Sequence, residues 1–346
     1  ARLAQEYIEQ DETFRKTLRR EIRAKLNEHL STAGRRTGSK LPKDTRAWLL
    51  STLGNLVDKD SESIGLITKF ATDIEAEKDE WVRYWALAGL FAGNGKEAKS
   101  LATTIVKAKD LGDSLPQQLA KAILAWAGED KWMEAVEGAL DKEDRACWAM
   151  LRALRHVYVD SDKVINKFCE YIEKQRFGDY LYDAICALAP IPKESTHAEQ
   201  VAHVVESYLR NNRRPMHTAA REKALTILGT LGVKRVFLAL TEELFDGNPA
   251  IVRAASRALE NLLTAKAACE RVVEEAEGCA DEDVHRLGDA LRWMKARKTV
   301  VEVLELKLAS GSDKEQAIAR TLLQEVGGLL AFDRLRSRFD ASQRYM

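Results

Sequence analysis

The stretch WVRYWALAGL, residues 81–90, decides how this chain is read. Leu90 closes an apolar helical stripe, and the small residue Ala86 stands four places before it. Residues four apart share one face of a helix, so a small side chain there lets a second helix come close. The same frame recurs along the chain. Its closing leucines are Leu53, Leu90, Leu124, Leu154, Leu188, Leu228, Leu259, Leu291 and Leu323, spaced by 37, 34, 30, 34, 40, 31, 32 and 32 residues. Four places before them stand Leu49, Ala86, Ala120, Met150, Ala184, Ala224, Ala255, Leu287 and Ala319, six of them alanine. Each interval holds a second amphipathic stretch, as at 97–107, 162–173, 198–209, 233–245 and 298–308. Polar or glycine-bearing breaks such as Gly93–Asn94–Gly95 and Gly247–Asn248–Pro249 supply stops and caps, and Pro116 and Pro249 suit a first helical turn. One helix pair cannot bury its own apolar faces, so pairs repeating at this period are expected to stack into an α-solenoid.

Composition agrees. Only 6 prolines and 19 glycines in 346 residues disfavour an all-β fold, and an apolar share of 45% excludes wholesale disorder. Lys plus Arg and Asp plus Glu are 54 each, so no net field draws the whole molecule to nucleic acid or membrane. No apolar run is long enough to span a bilayer. Five cysteines, Cys147, Cys169, Cys186, Cys269 and Cys279, lack CxxC spacing and read as reduced thiols of a cytoplasmic protein.

The first helices resemble those of HEAT-like, armadillo-type repeats. Val82–Arg83, Ala86 and Leu90 carry the resemblance, as do Arg221, Ala224, Leu228 and Gly229, and in part Arg46, Leu53 and Gly54. The frames ending at Leu154 and Leu291 match poorly. The resemblance implies an all-α, right-handed α-α superhelix of about nine helix pairs over residues 44–340. Its binding groove is expected on the second helices. Residues 1–43 read as a charged N-terminal helix and basic loop, and 341–346 as a C-terminal tail. The start at Ala1 and the abrupt charged end read as those of a piece of a longer chain.

Catalytic motifs are missing. GRRTGSK at 34–40 and GNGKE at 93–97 lack the order of a phosphate-binding loop. The six histidines, His29, His156, His197, His203, His217 and His285, form no HExxH and no His-Glu pair, unlike the iron-holding motifs of HEAT-like deoxyhypusine hydroxylases. No catalytic residue, metal ligand or cofactor site is therefore assigned.

The expected activity is non-catalytic protein binding, by a scaffold serving as the sensor or docking region of a larger signalling or defence protein. Trp, Tyr and Arg dominate interface hot spots. On that ground Trp81, Arg83 and Trp85, with the cluster Arg210, Arg213 and Arg214, are the candidate partner contacts. A basic N-terminal patch, Arg19, Arg20, Arg23, Arg35 and Arg36, supports the alternative of a nucleic-acid-binding module. A third reading is a HEAT-like DNA glycosylase, which would need a carboxylate in a basic, tryptophan-lined cleft. Oligomeric state is not legible in the sequence.

Overall fold

The computed structural model describes residues 12–32, 41–108, 113–142, 144–174, 178–212 and 218–326, and these are all-α. The chain divides into two compact units, Ala1–Phe168 and Cys169–Met346.

The described part of the first unit opens with α1 (Glu12–Thr32), and residues 1–11 lie outside it. Then follow α2 (Lys43–Leu56), α3 (Ser61–Thr72), α4 (Glu80–Gly93), α5 (Gly95–Lys107), α6 (Leu115–Trp126), α7 (Asp130–Leu140), α8 (Arg145–Leu154) and α9 (Asp162–Glu173). The second unit holds α10 (Gly178–Ala187), α11 (Ala198–Asn211), α12 (Thr218–Leu231), α13 (Phe237–Glu242) between two short 3-10 turns, α14 (Pro249–Leu262), α15 (Ala265–Ala276), α16 (Asp281–Arg292), α17 (Arg297–Ser310) and α18 (Asp313–Val326).

Even-numbered helices are the predicted first helices. Eight of the nine closing leucines fall on them, and Leu188 follows the last residue of α10. None of the nine is more than 1% exposed. The residues four places earlier are buried as well, including Met150 and Leu287 of the two weakest frames. Within the first unit α2 packs on α4, α4 on α6 and α6 on α8; within the second, α10 packs on α12, α12 on α14, α14 on α16 and α16 on α18. Odd-numbered helices fill the intervals and lean on the same neighbours. Each unit is thus a solenoid-like stack of helix pairs. The described residues hold eight complete pairs and the first helix of a ninth, whose partner would fall in 327–340, outside the described part.

Caps place the helix starts. Asp79 accepts the backbone N–H of Trp81 at 2.9 Å, Asn94 that of Glu97 at 3.2 Å, Asp144 that of Ala146 at 2.8 Å and Asn248 that of Ala250 at 3.0 Å. Each satisfies a donor that the first helical turn leaves without a backbone partner. Pro116 and Pro249 occupy first-turn positions, where a missing N–H costs nothing. The approach of α2 to α4 is closest at their glycines: a Cβ on Gly54 would stand 2.2 Å from the Gly89 carbonyl carbon.

Helix α1 lies on α2 and α3 through Ile22 and Leu26, both buried. Two members of the expected basic patch serve this docking. Arg19 donates to the Leu56 carbonyl at 3.1 Å, and Arg23 grips both oxygens of Asp60 at 3.0 and 2.9 Å. Burial pushes the Asp60 carboxyl up, but the Ser63 hydroxyl and Arg23 outweigh it and leave the pKa below its usual value. Among the described residues no helix is long and apolar enough to cross a membrane.

Candidate interaction site

A concentration of exposed chemistry lies on the first helices of the N-terminal unit. A groove of about 720 Å³ is lined by Lys43 and Asp44 at the start of α2, Lys78, Asp79, Glu80 and Trp81 at the start of α4, Leu115 at the start of α6, and Trp148 and Arg152 on α8. This groove lies on first helices, whereas the binding groove was expected on the second. The physical reason lies in two first helices meeting across a third. Arg145 at the start of α8 reaches Glu80 at 2.6 Å, and the Tyr84 hydroxyl donates to the Arg152 carbonyl at 2.7 Å, although α6 lies between them in sequence.

Helical spacing arranges the aromatic groups. On α4, Trp81 and Trp85 stand four apart, and on α8 so do Trp148 and Arg152. The guanidinium carbon of Arg152 is 4.3 Å from the Trp148 ring centre and 5.4 Å from that of Trp81, within the range of cation–π attraction. Trp81 stacks on Tyr84 at 5.6 Å and 11°, and meets Trp85 edge-on at 5.6 Å. His156 closes the cluster, 5.2 Å from Trp85 and 5.6 Å from Tyr84. Offset and edge-on pairs of this kind add about 0.5–1.5 kcal/mol each beyond their buried area, so the cluster is stiff. The stripe continues on α2, where Trp48 stands four residues beyond Asp44 and is 54% exposed.

Trp81 therefore lines the groove and Trp85 packs edge-on against it, each half-buried. Arg83 is not on the surface: it is 5% exposed, and among the described residues its Nε and Nη1 have no hydrogen-bond partner. Burial pulls its pKa below the usual value, against the opposing pull of Glu80, Glu77 and Asp79. Arg210 belongs to the other unit, where it pairs with Glu206 at 2.8 Å along α11. Arg213, Arg214, Arg35 and Arg36 lie outside the described residues. Arg20 is exposed and pairs with Glu21 at 3.3 Å. With Lys16, Thr17, Arg19, Arg23 and Asp60 it lines a smaller hollow of about 310 Å³ beside α1.

No protein-family model matches the chain, and no curated protein matches it. The site must be read from its own side chains. Sequence reasoning missed Arg152, His156, Lys43 and Lys78 as site residues. The signal available for Arg152 was its place four residues after Trp148.

The other reactive groups are set aside by burial. Cys169 and Cys269 are buried, and loss of water, reinforced by Glu173 and Glu270, pushes both thiols up to about 12, far from thiolate reactivity.

Proposed function

We propose that the N-terminal unit is a non-catalytic docking platform that recognises a protein partner on the face formed by α2, α4 and α8. One observation carries the reading. Trp81, Trp148 and Arg152, residue types that dominate binding hot spots, line one open groove, the neighbouring Tyr84 and Trp85 pack against Trp81, and the exposed Trp48 stands one helical turn from the groove residue Asp44. Rigid aromatic side chains lose little entropy on binding, so a preorganised face of this kind favours affinity. The wider role, as the sensor or docking region of a larger signalling or defence protein, is supported by the resemblance to HEAT-like arrays alone.

The test compares three immobilised forms of the full chain: unsubstituted, Trp81→Ala/Trp148→Ala, and Trp132→Ala on α7 as a control away from the groove. Proteins retained by the first and third forms and lost from the second are expected. Identical retention by all three would contradict the reading.

A second reading rests on one specific feature. The groove places the carboxylates of Asp44, Asp79 and Glu80 beside tryptophan, lysine and arginine, as a base-excision enzyme of HEAT-like type would need. Release of alkylated bases from methylated DNA, lost in Asp44→Asn, would favour it over the docking platform.

A further inference from the structure

We propose that the segment docking on this face is a protein segment offering a lone carboxylate beside an apolar side chain. The carboxylate goes to Lys43 and Lys78, and the apolar group goes to the indoles of Trp48, Trp81 and Trp148. This rests on the reading of the N-terminal unit as a docking platform and specifies what the platform recognises.

The charges of the groove are unequal. Asp79 is engaged by the backbone N–H of Trp81, which it accepts at 2.9 Å as the cap of α4. Glu80 divides its two oxygens between Arg145 at 2.6 Å and the backbone N–H of Leu115 at 3.4 Å. Asp44 sits in the first turn of α2, where the helix dipole favours a negative group. Lys43 and Lys78 are exposed, and neither has an ion pair or side-chain hydrogen bond among the described residues. Two of the groove's three acids, Asp79 and Glu80, are occupied within the protein, whereas both lysines and Asp44 have no ion pair or side-chain hydrogen bond among the described residues. What the groove offers a visitor is therefore positive charge set against indole faces.

Magnitudes separate a protein segment from a nucleic acid. Each strand of a duplex brings one phosphate charge about every 3.4 Å of helix axis, so several phosphates would lie along the groove and meet Asp44, Asp79 and Glu80 as well as the lysines. A lone carboxylate can take the lysines and avoid the acids. Apolar contact then supplies the rest: Trp48 is 54% exposed and gains most from being covered, since a buried aromatic removes about 150–250 Å² from water.

The test uses a random-peptide library displayed on phage and selected on the full chain, in parallel with a Lys43→Glu/Lys78→Glu variant. Both lysines are exposed, so the variant is expected to unfold at the same temperature as the unsubstituted chain. A selected peptide is then synthesised and its Kd read from quenching of tryptophan fluorescence. Selected peptides are expected to carry Asp or Glu next to an aromatic or aliphatic residue. Replacing that acid by its amide, or using the charge-reversed chain, should weaken binding about tenfold, with a shallow salt dependence. Trp48→Ala should weaken it by a similar factor.

Three results would overturn the proposal, and they are distinguishable. Peptides that need Trp48 and Trp81 but ignore both the lysines and the amide replacement would remove the acidic partner and leave the platform standing. Failure to select any tryptophan-dependent peptide would remove the platform as well. Displacement of the peptide by a single-stranded oligonucleotide, with steep salt dependence, would transfer the site to nucleic acid.

Discussion

Two helix crossings, α2 on α4 in the first unit and α12 on α14 in the second, are built to one plan and differ in what they show to solvent. In each, an arginine seven residues before the closing leucine reaches a carboxylate two residues ahead of the next first helix's cap. Arg46 donates to Glu77 at 2.6 and 3.0 Å, and Glu77 in turn accepts the backbone N–H of the cap residue Asp79 at 2.9 Å. Arg221 donates to Asp246 at 2.7 Å and to Glu243, and Asp246 accepts the backbone N–H of the cap residue Asn248 at 2.7 Å. In each, a glycine lies against the facing helix: Gly54 against Gly89, and Gly229 against the Cα of Ala258. The outer faces part company. The first crossing carries Trp48, Trp81 and Trp85; the helices of the second carry no aromatic residue. Features common to the two crossings hold the stack together. The residues that differ are where recognition is to be sought.

The comparison can be broken by perturbing its common parts, beginning with the largest effect. Arg221→Met removes the arginine that Glu243 and Asp246 share, and Glu243 is almost fully buried. Removing one partner of a buried ion pair costs about 3–5 kcal/mol. Arg46 is more exposed, with 13% of its side chain accessible against 3% for Arg221, and it serves one carboxylate. Arg46→Met is therefore expected to cost less than Arg221→Met in chemical denaturation. Equal losses below about 1 kcal/mol would mean that the two clusters do not hold the crossings.

A smaller effect separates packed glycines from idle ones. Gly54→Ala must push α2 from α4, an overpacking cost of about 1–3 kcal/mol. Gly65→Ala in α3 meets nothing within 4 Å and is expected to raise stability by about 0.5–1 kcal/mol, since alanine favours helix. Thermal melts of the two variants should move in opposite directions. Shifts of the same sign would remove the close contact from the account.

Much of this fold was legible in the sequence because burial obeys period. A leucine that recurs every thirty to forty residues has one physical use, and even the frames with Met150 and Leu287 in place of alanine are fully packed. The site was less legible, because period says nothing about which helices converge. Tyr84 and Arg152 are 68 residues apart and joined by a hydrogen bond. No local pattern announces that α8 returns to the side of α4. Arg83 is buried for a related reason: one helical position separates an outward residue from a buried one, and Arg83 sits between Trp81 and Trp85 in sequence but is only 5% exposed.

The central claim is that partners dock on the aromatic face of α2, α4 and α8. Hydrogen–deuterium exchange of the full chain, with and without a selected peptide, tests it most directly. Slowed exchange is predicted over 43–48, 78–85 and 148–156, with the second unit unchanged. Protection confined to the odd-numbered helices, or to the second unit, would contradict it.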